Sequence, residues 1–136
     1  MQALVLRITA CVFALFASAA HAEFATIEEA ASVTADNVTR FESDSPSVQS
    51  GRVRFDVTVA WKDGVVRPQG APPRKIIRYL AKCADKMLAL SSVAVYGISG
   101  ETEKMYGIAP GGWDFAVPED DSLEAQWLKK ACAAAS

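Results

Sequence analysis

The sequence is poor in the side chains on which most catalytic and metal chemistry depends. Its 136 residues include one histidine, His21, and three cysteines, Cys11, Cys83 and Cys132. His21 and Cys11 lie in the first 22 residues, so the rest of the chain has no imidazole and two thiols. That excludes Ser-His-Asp and Cys-His catalysis, histidine-ligated metals and a four-thiolate zinc site there. We therefore expect that the protein is not an enzyme and that it binds no cofactor or metal.

The chain also lacks an excess of positive charge. It has 14 basic and 16 acidic side chains, a net charge of -2 at pH 7, which argues against a nucleic-acid-binding protein held by bulk charge. Hydrophobic residues make up 51% of the chain and charged residues 22%, which is the balance of a folded protein. The length suits one domain rather than two.

The N-terminus has the organisation of a secretory signal. One basic residue, Arg7, precedes an apolar run over residues 8–20, and small residues ending at Ala22 fit a signal-peptidase site. The run is too short to span a bilayer, which needs about 20 residues. A lipoprotein signal at Cys11 is the competing interpretation, but cleavage there would leave an apolar mature terminus. We predict a signal peptide cleaved after Ala22, then a single exported domain over residues 23–136 with no membrane segment.

Export makes a disulfide the expected state of the two remaining cysteines. Paired thiols oxidise in proteins that fold outside the cytoplasm, and a bond between Cys83 and Cys132 would enclose residues 84–131. The alternative is two free thiols. In the chain-entropy description, closing a loop of that length stabilises the fold by about 4 kcal/mol.

Alternation of apolar and polar side chains predicts an antiparallel sheet. The clearest element covers residues 52–61, where side chains such as Val53 and Phe55 alternate with polar ones such as Arg54, which is typical of a half-buried strand. The other predicted segments are strands at 76–83, 87–97 and near 104–108, a strand or an extended lead-in at 113–117, a helix or a strand at 25–33, and loops at 42–51 and 68–73.

The C-terminus is predicted to form a helix. Asp121 is the expected N-cap, and Glu124 would complete a capping box with it. Lys129 and Lys130 favour the negative end of the helix dipole. An apolar stripe runs along one side, and because only a sheet is available to bury it, we expect the helix to pack on the sheet. The stripe comprises Leu123, Trp127, Leu128, Ala131, Cys132, Ala134 and Ala135.

The tryptophans and one acidic run each have a functional and a structural interpretation. Trp61, Trp113 and Trp127 could stack on a ligand, but we expect them to pack in the core or between helix and sheet. Residues 119–121 are acidic and could hold calcium, but they lack a calcium-loop pattern and suit the positive end of the following helix. Neither group is therefore assigned to a site.

Strand parity puts four cations on one face of the predicted sheet. If Cys83 faces the helix, Lys82 and Arg78 point to the opposite face. If the apolar residues of the clearest strand line the core, Arg52 and Arg54 point the same way. These four cations are the predicted partner-binding residues, because a flat sheet surface suits a protein partner more than a small molecule. The structural alternative is a plain solvated face.

The order of the elements along the chain carries further information. An exported leader is followed by a loop at 41–45, a strand at 53–57, a strand that ends at Cys83, and a helix that ends at Cys132. This order and spacing resembles the bacterial surface-adhesin protein E-like domain family over most of the exported part. The resemblance implies an α+β fold, in which an antiparallel sheet carries a C-terminal helix tethered to one face by a disulfide. It also implies binding of host extracellular-matrix and serum proteins.

Two function classes remain open. The first is an exported binding module, periplasmic, secreted or at the cell surface, that acts through its sheet surface on a protein partner such as a host matrix or serum protein. The second is a periplasmic inhibitor of a hydrolase such as a cell-wall lytic enzyme, which would plug a cleft with the stiff loop at 68–73. No nucleic-acid partner is expected. The oligomeric state and the side of the outer membrane are left open.

Overall fold

The computed structural model describes residues 24–42 and 46–136. The predicted signal segment, its cleavage after Ala22 and the middle of the loop predicted at 42–51 lie outside these residues. None of the described helices is long and apolar enough to cross a membrane. The described elements are α1 (Ile27–Ala30), β1 (Asn37–Phe41), β2 (Ser47–Gln49), β3 (Arg52–Trp61), β4 (Arg74–Lys82), β5 (Met87–Tyr96), β6 (Thr102–Gly107), a 3-10 turn (Pro110–Gly112) and α2 (Leu123–Ala135).

The strands form one antiparallel sheet with a C-terminal helix, which confirms the predicted α+β class. The strand order is β1-β3-β4-β5-β6. Strand β2 pairs with the first part of β3 and β1 with its last part, so both lie along the same edge of β3. Antiparallel neighbours need only short connections, and β4 is joined to β5 through residues 83–86 alone.

The long strands lie where alternation predicts them. Strand β3 covers its predicted range, and β4, β5 and β6 differ from theirs by one or two residues at one or both ends. Strand β2 lies inside the segment predicted as a loop, because three residues are too few for an alternating pattern to show. Residues 113–117, predicted as a strand or an extended lead-in, form a single β-bridge, between Ala116 and Leu88. Residues 25–33, predicted as a helix or a strand, contain the short helix α1.

The core lies between helix α2 and the sheet face that it covers, the inner face. Trp127, Leu128 and Ala131 of α2 are buried against this face. The ring centroid of Trp127 lies 5.7 Å from that of Tyr79, which stacks on Phe55 at 5.6 Å. Such pairs add about 0.5–1.5 kcal/mol each beyond the area they bury. The buried strand residues of the inner face include Val53, Phe55, Val57, Val59, Ile77, Tyr79, Ala81, Leu88, Val93 and Val95.

Helix α2 begins later than the sequence indicates. The predicted N-cap, Asp121, is wrong, because Asp121 has a left-handed backbone with φ of 62° and an N-cap residue needs an extended one. Ser122 has that extended backbone, and its hydroxyl oxygen accepts a hydrogen bond from the N–H of Ala125 at 3.1 Å. Because the observed N-cap lies one residue after the predicted one, Glu124 is not at the capping-box position, three residues after the cap.

The disulfide between Cys83 and Cys132 is present, which confirms the predicted pairing. The two Cα atoms lie 5.7 Å apart, a usual span for such a bond. Cys83 directly follows β4 and Cys132 lies in the last part of α2, so the bond attaches this part of the helix to the sheet. The predicted stripe is buried or half-buried around the attachment, whereas Leu123 and Ala134, near its two ends, are exposed.

A buried lysine attaches the N-terminal segment to another part of the inner face. Lys75 of β4 is 8% exposed and donates hydrogen bonds to the backbone carbonyls of Ala30, at 2.7 Å, and Ser32. Carbonyls at the end of a helix lack intrahelical partners, and here the ammonium group supplies them. The backbone N–H of Phe24 also donates to the hydroxyl of Tyr106 at 3.0 Å. The segment that contains α1 is therefore bonded to both β4 and β6.

Removing either cysteine tests the cross-link. Cys83→Ser and Cys132→Ser should each lower the free energy of unfolding by about 2–4 kcal/mol, because each removes the same restriction on the unfolded chain. The double variant should cost little more than either single change, since the bond can be lost only once. Urea unfolding of the wild type and the three variants without reductant measures these values. Additive losses would contradict the pairing.

Candidate functional site

The outer face of the sheet, which is turned away from α2, is covered by neither of the described helices. Side chains that are paired across antiparallel strands lie on the same face, and Arg54 pairs with Leu80 just as Asp56 pairs with Arg78. These positions alternate with the buried inner-face residues of β3 and β4. Four outer-face positions are occupied by the predicted partner-binding cations Arg52, Arg54, Arg78 and Lys82.

Arg78 is paired with a carboxylate on this face. Its Nε and Nη2 atoms donate to the two carboxylate oxygens of Asp56 at 2.8 and 3.1 Å. The hydrogen bond to Asp56 raises the pKa of the Arg78 guanidinium. Arg78 is therefore a fixed group whose charge is compensated, not a free cation. Asp56 has the same parity as Arg54 in the sequence, so strand alternation indicates its face, whereas its pairing with Arg78 depends on the register between β3 and β4.

Arg52 and Lys82 lie on aromatic rings at one end of the outer face. The guanidinium carbon of Arg52 is 5.5 Å from the ring centroid of Trp113 and 5.3 Å from that of Phe115. The Nζ atom of Lys82 is 4.1 Å from the centroid of Phe115. Cation–aromatic contacts at exposed sites contribute about 0.5–1 kcal/mol each. The two rings thus hold both cations close to the sheet.

Trp113 and Phe115 belong to the segment that follows the 3-10 turn. The indole N–H of Trp113 donates to a backbone carbonyl five residues earlier, at 3.0 Å. The backbone N–H and carbonyl of Ala116 are bonded to Leu88 of β5 at 3.0 and 2.9 Å. Trp127 packs between helix and sheet as expected, whereas Trp113 does not. Trp113 is half-buried beneath a cation of the outer face, because the bridge at Ala116 brings its segment alongside β5.

Arg54, the last of the four predicted cations, and Arg74, which was not predicted, also lie on the outer face. Arg54 is exposed and takes part in neither of the ion pairs found among the described residues. The guanidinium carbon of Arg74 lies 4.5 Å from the ring centroid of Tyr96, its partner in the β4–β5 register. Arg74 was missed from the sequence because the strand was predicted to begin two residues later. It has the parity of Arg78, and a longer strand would have placed it on this face.

A compensated pair lies at the β1 edge of the outer face. Arg40 donates to the carboxylate of Glu42 from Nε and Nη2 at 3.1 and 3.0 Å. The hydroxyl of Thr58 donates to the same carboxylate at 2.7 Å. The hydrogen bonds from Thr58 and Arg40 lower the pKa of Glu42. The concentration of cations is therefore greatest on β3 and β4, away from this edge.

Apolar side chains also lie on the outer face, among polar ones such as Asp56 and Thr58. Leu80 and Ala89 pair across β4 and β5, and both are buried although no described helix covers them. Ala94 is also buried, beside Met105 of the edge strand β6, which is 59% exposed. Val38 at the opposite edge is 49% exposed. The exposed apolar surface of this face therefore lies at its edges, at Met105 and Val38, and not at its centre.

The acidic run before α2 contributes to the start of the helix. The backbone carbonyl of Glu119 accepts hydrogen bonds from the hydroxyl of Ser122 at 2.6 Å and from its N–H at 3.2 Å. Within residues 24–42 and 46–136, no group of three or more His, Cys, Asp or Glu residues could hold a metal ion. That the protein uses no metal or cofactor stays a prediction.

Comparison with solved structures finds similarity to protein E of Haemophilus influenzae. The match to its selenomethionine form has a TM-score of 0.48 and 16% sequence identity, and covers 75% of this chain and 89% of that chain. The match to a second structure of the same protein has a TM-score of 0.48 and 16% identity, and covers 75% of this chain and 87% of that chain. No family model and no curated protein matches the sequence.

Two serine substitutions distinguish a paired from an exposed arginine on the outer face. Arg54→Ser should change the free energy of unfolding by less than about 0.5 kcal/mol, because Arg54 is exposed. Arg78→Ser should cost about 1–2 kcal/mol, because it leaves the half-buried carboxylate of Asp56 without its bidentate donor. Urea unfolding at low ionic strength measures both changes.

Asp56→Asn in the Arg78→Ser background is the control, since it removes the charge that Arg78 had compensated. It should recover part of the stability that Arg78→Ser loses. Equal, near-zero effects of Arg54→Ser and Arg78→Ser would show that the Asp56 contact adds nothing to stability.

Proposed function

We propose that this chain is an exported binding module that recognises a protein through the outer face of its sheet. The observation that carries the proposal is that this face, which neither described helix covers, holds cations on aromatic rings and exposes apolar side chains at its edges. Antiparallel sheets often leave one face in water, and such a face is then largely polar. Arginine, methionine and aromatic side chains, which this face combines, are enriched in protein interfaces.

The cluster of Arg52, Lys82, Trp113 and Phe115 supports an anchoring role in binding. Residues that dominate binding energies are enriched in tryptophan, tyrosine and arginine. Because the rings already restrict both cations, fewer side-chain rotamers are lost when a partner docks. A carboxylate of the partner can accept a hydrogen bond from the edge of the guanidinium while apolar parts of the partner cover the rings.

The distribution of charge favours an acidic partner. The chain as a whole has a net charge of -2, whereas β3 and β4 concentrate arginine and lysine side chains on the outer face. A local patch of one sign accelerates association with an oppositely charged surface. Such steering weakens as salt is added, since the screening length at physiological ionic strength is about 8 Å.

Export and the class of partner are further parts of the proposal. The signal-like residues 1–22 and the Cys83–Cys132 bond favour an oxidising compartment. In this proposal residues 23–136 form the exported domain, which acts in the periplasm, in the medium or at the cell surface. The resemblance of the sequence to the surface-adhesin protein E-like family supports host extracellular-matrix or serum proteins as the partners.

The proline-rich loop after β3 supports a second candidate, a periplasmic inhibitor of a hydrolase such as a cell-wall lytic enzyme. The N–H of Ala71 donates to the carbonyl of Pro68 at 3.0 Å, and the indole N–H of Trp61 donates to the carbonyl of Pro72 at 2.9 Å. Pro68 and Gln69 at the tip are exposed. A loop held in this way would lose little conformational entropy on entering a cleft.

Capture followed by affinity measurement tests the outer face. The immobilised protein is offered solubilised matrix and serum proteins and, separately, a cell-envelope extract. For a partner retained from either source, Arg54→Glu should weaken binding by about tenfold or more. Added salt should weaken wild-type binding as well. Lys130→Glu makes the same charge change on the exposed side of α2 and should leave the affinity unchanged.

The possible outcomes separate the two candidates. Binding that ignores both Arg54→Glu and salt would overturn the outer-face proposal. A partner from the envelope extract that is lost with Gln69→Arg and kept with Arg54→Glu would support the inhibitor instead. Proteolysis of the protein on intact cells would assign it to the cell surface.

A further inference from the structure

Lys75 is the only charged or polar residue that is buried among those the structure describes. Its ammonium group donates two hydrogen bonds, to the carbonyls of Ala30 and Ser32, and lies 5.8 Å from the ring centroid of Phe24. Neither ion pair of the described chain includes it, whereas buried charges in proteins are usually paired. An ammonium group has three protons to donate, so one is left for a further acceptor.

The buried Lys75 ammonium titrates closer to neutral pH than an exposed lysine does. Desolvation lowers the pKa of Lys75 to about 8, and at pH 7 most molecules therefore still carry the proton. No opposite charge from the described residues compensates it. A bound anion would supply the missing counter-charge.

Lys75 lines a cavity of about 210 Å³. An apolar cavity of about 150 Å³ holds a benzene molecule, so this one has room for a six-membered ring with a short substituent. The apolar part of the wall comes from Phe24, Val59, Trp61, Ala71 and Pro72.

Hydrogen bonds hold the walls of this cavity in place. The indole of Trp61 is bonded to the carbonyl of Pro72 at 2.9 Å. The side-chain oxygen of Asn37 accepts from the N–H and the hydroxyl of Thr34 at 2.9 and 3.2 Å, which orients the amide. Asn37 lines the cavity, and its amide nitrogen makes no hydrogen bond to the described residues.

We propose that this cavity binds a small aromatic monocarboxylate, with the carboxylate at the Lys75 ammonium and the ring against Trp61 and Pro72. One cation matches one negative charge, and the described lining contains no arginine and no carboxylate. A phosphate group with two charges would be only partly compensated there. The cavity opens beside the inner face of the sheet, so the proposal does not depend on the outer-face function.

Titration calorimetry with phenylacetate tests the proposal on the purified protein. Phenylacetate should bind saturably below about 10 mM, a range that suits a ligand of this size. Phenylacetamide has the shape without the charge, and acetate has the charge without the ring. Each should bind at least about tenfold more weakly. In a parallel NMR titration, phenylacetate should shift the indole N–H resonance of Trp61 and leave that of Trp127 unchanged.

Three variants assign the binding to the cavity. Lys75→Met removes the ammonium at similar volume and should weaken phenylacetate binding by at least about tenfold. Lys62→Met removes a charge from an exposed lysine and should leave the affinity unchanged. Ala71→Leu places a larger side chain in the cavity wall, keeps Lys75 in position, and should abolish binding. If Lys75→Met does not fold, Ala71→Leu and the phenylacetamide comparison decide the question.

Three results would contradict binding of phenylacetate in this cavity. Absence of saturable phenylacetate binding to the wild type would overturn the proposal. Equal affinities for phenylacetate and phenylacetamide, or an unchanged affinity in Ala71→Leu, would overturn it as well. Lys75 would then serve only to fasten the end of α1 to the sheet.

Discussion

The packing of Trp127 on Tyr79, beside the Cys83–Cys132 bond, determines which face of the sheet is buried. A single C-terminal helix can cover one face only, and α2 covers the one that carries the alternating valines and Phe55 of β3. Because side chains alternate along a strand, a shift of the strand register by one residue would move every inner-face side chain to the outer face and the reverse. The position of every outer-face cation therefore follows from where the helix is attached.

The cations of the two faces have different surroundings, and the difference suggests that the two faces bind different ligands. On the outer face most cations lie on rings or carboxylates at the surface, as Lys82 does on Phe115 and Arg78 does on Asp56, and Arg54 is exposed. On the inner face Lys75 is buried and bonded to neutral carbonyls beside a small cavity. A broad surface of restrained cations suits a protein, whereas an enclosed cation beside an aromatic wall suits a small anion.

Local patterns in the sequence predicted the framework of the fold and less of its detail. The alternation over β3 and the helical stripe around Trp127 are strong signals, because each depends on residues close in sequence. The edge strand β2 and the helix cap at Ser122 were not predicted. A three-residue strand shows no alternation, and the sequence does not indicate the left-handed backbone of Asp121. The ring beneath Arg52 and the bonds of Lys75 arise from segments distant in the chain, and no local pattern shows which of them will meet.

Hydroxyl-radical footprinting with mass spectrometry measures, residue by residue, whether α2 protects one face of the sheet and leaves the other accessible. We predict rapid oxidation of Met105 and Trp113, on the outer face, with Trp127 and Tyr79 protected in the folded, oxidised protein. Trp127 is 3% exposed and Met105 59% exposed, so the contrast in rates should be large. Oxidation of Trp127 as fast as that of Trp113 would contradict this assignment of the faces.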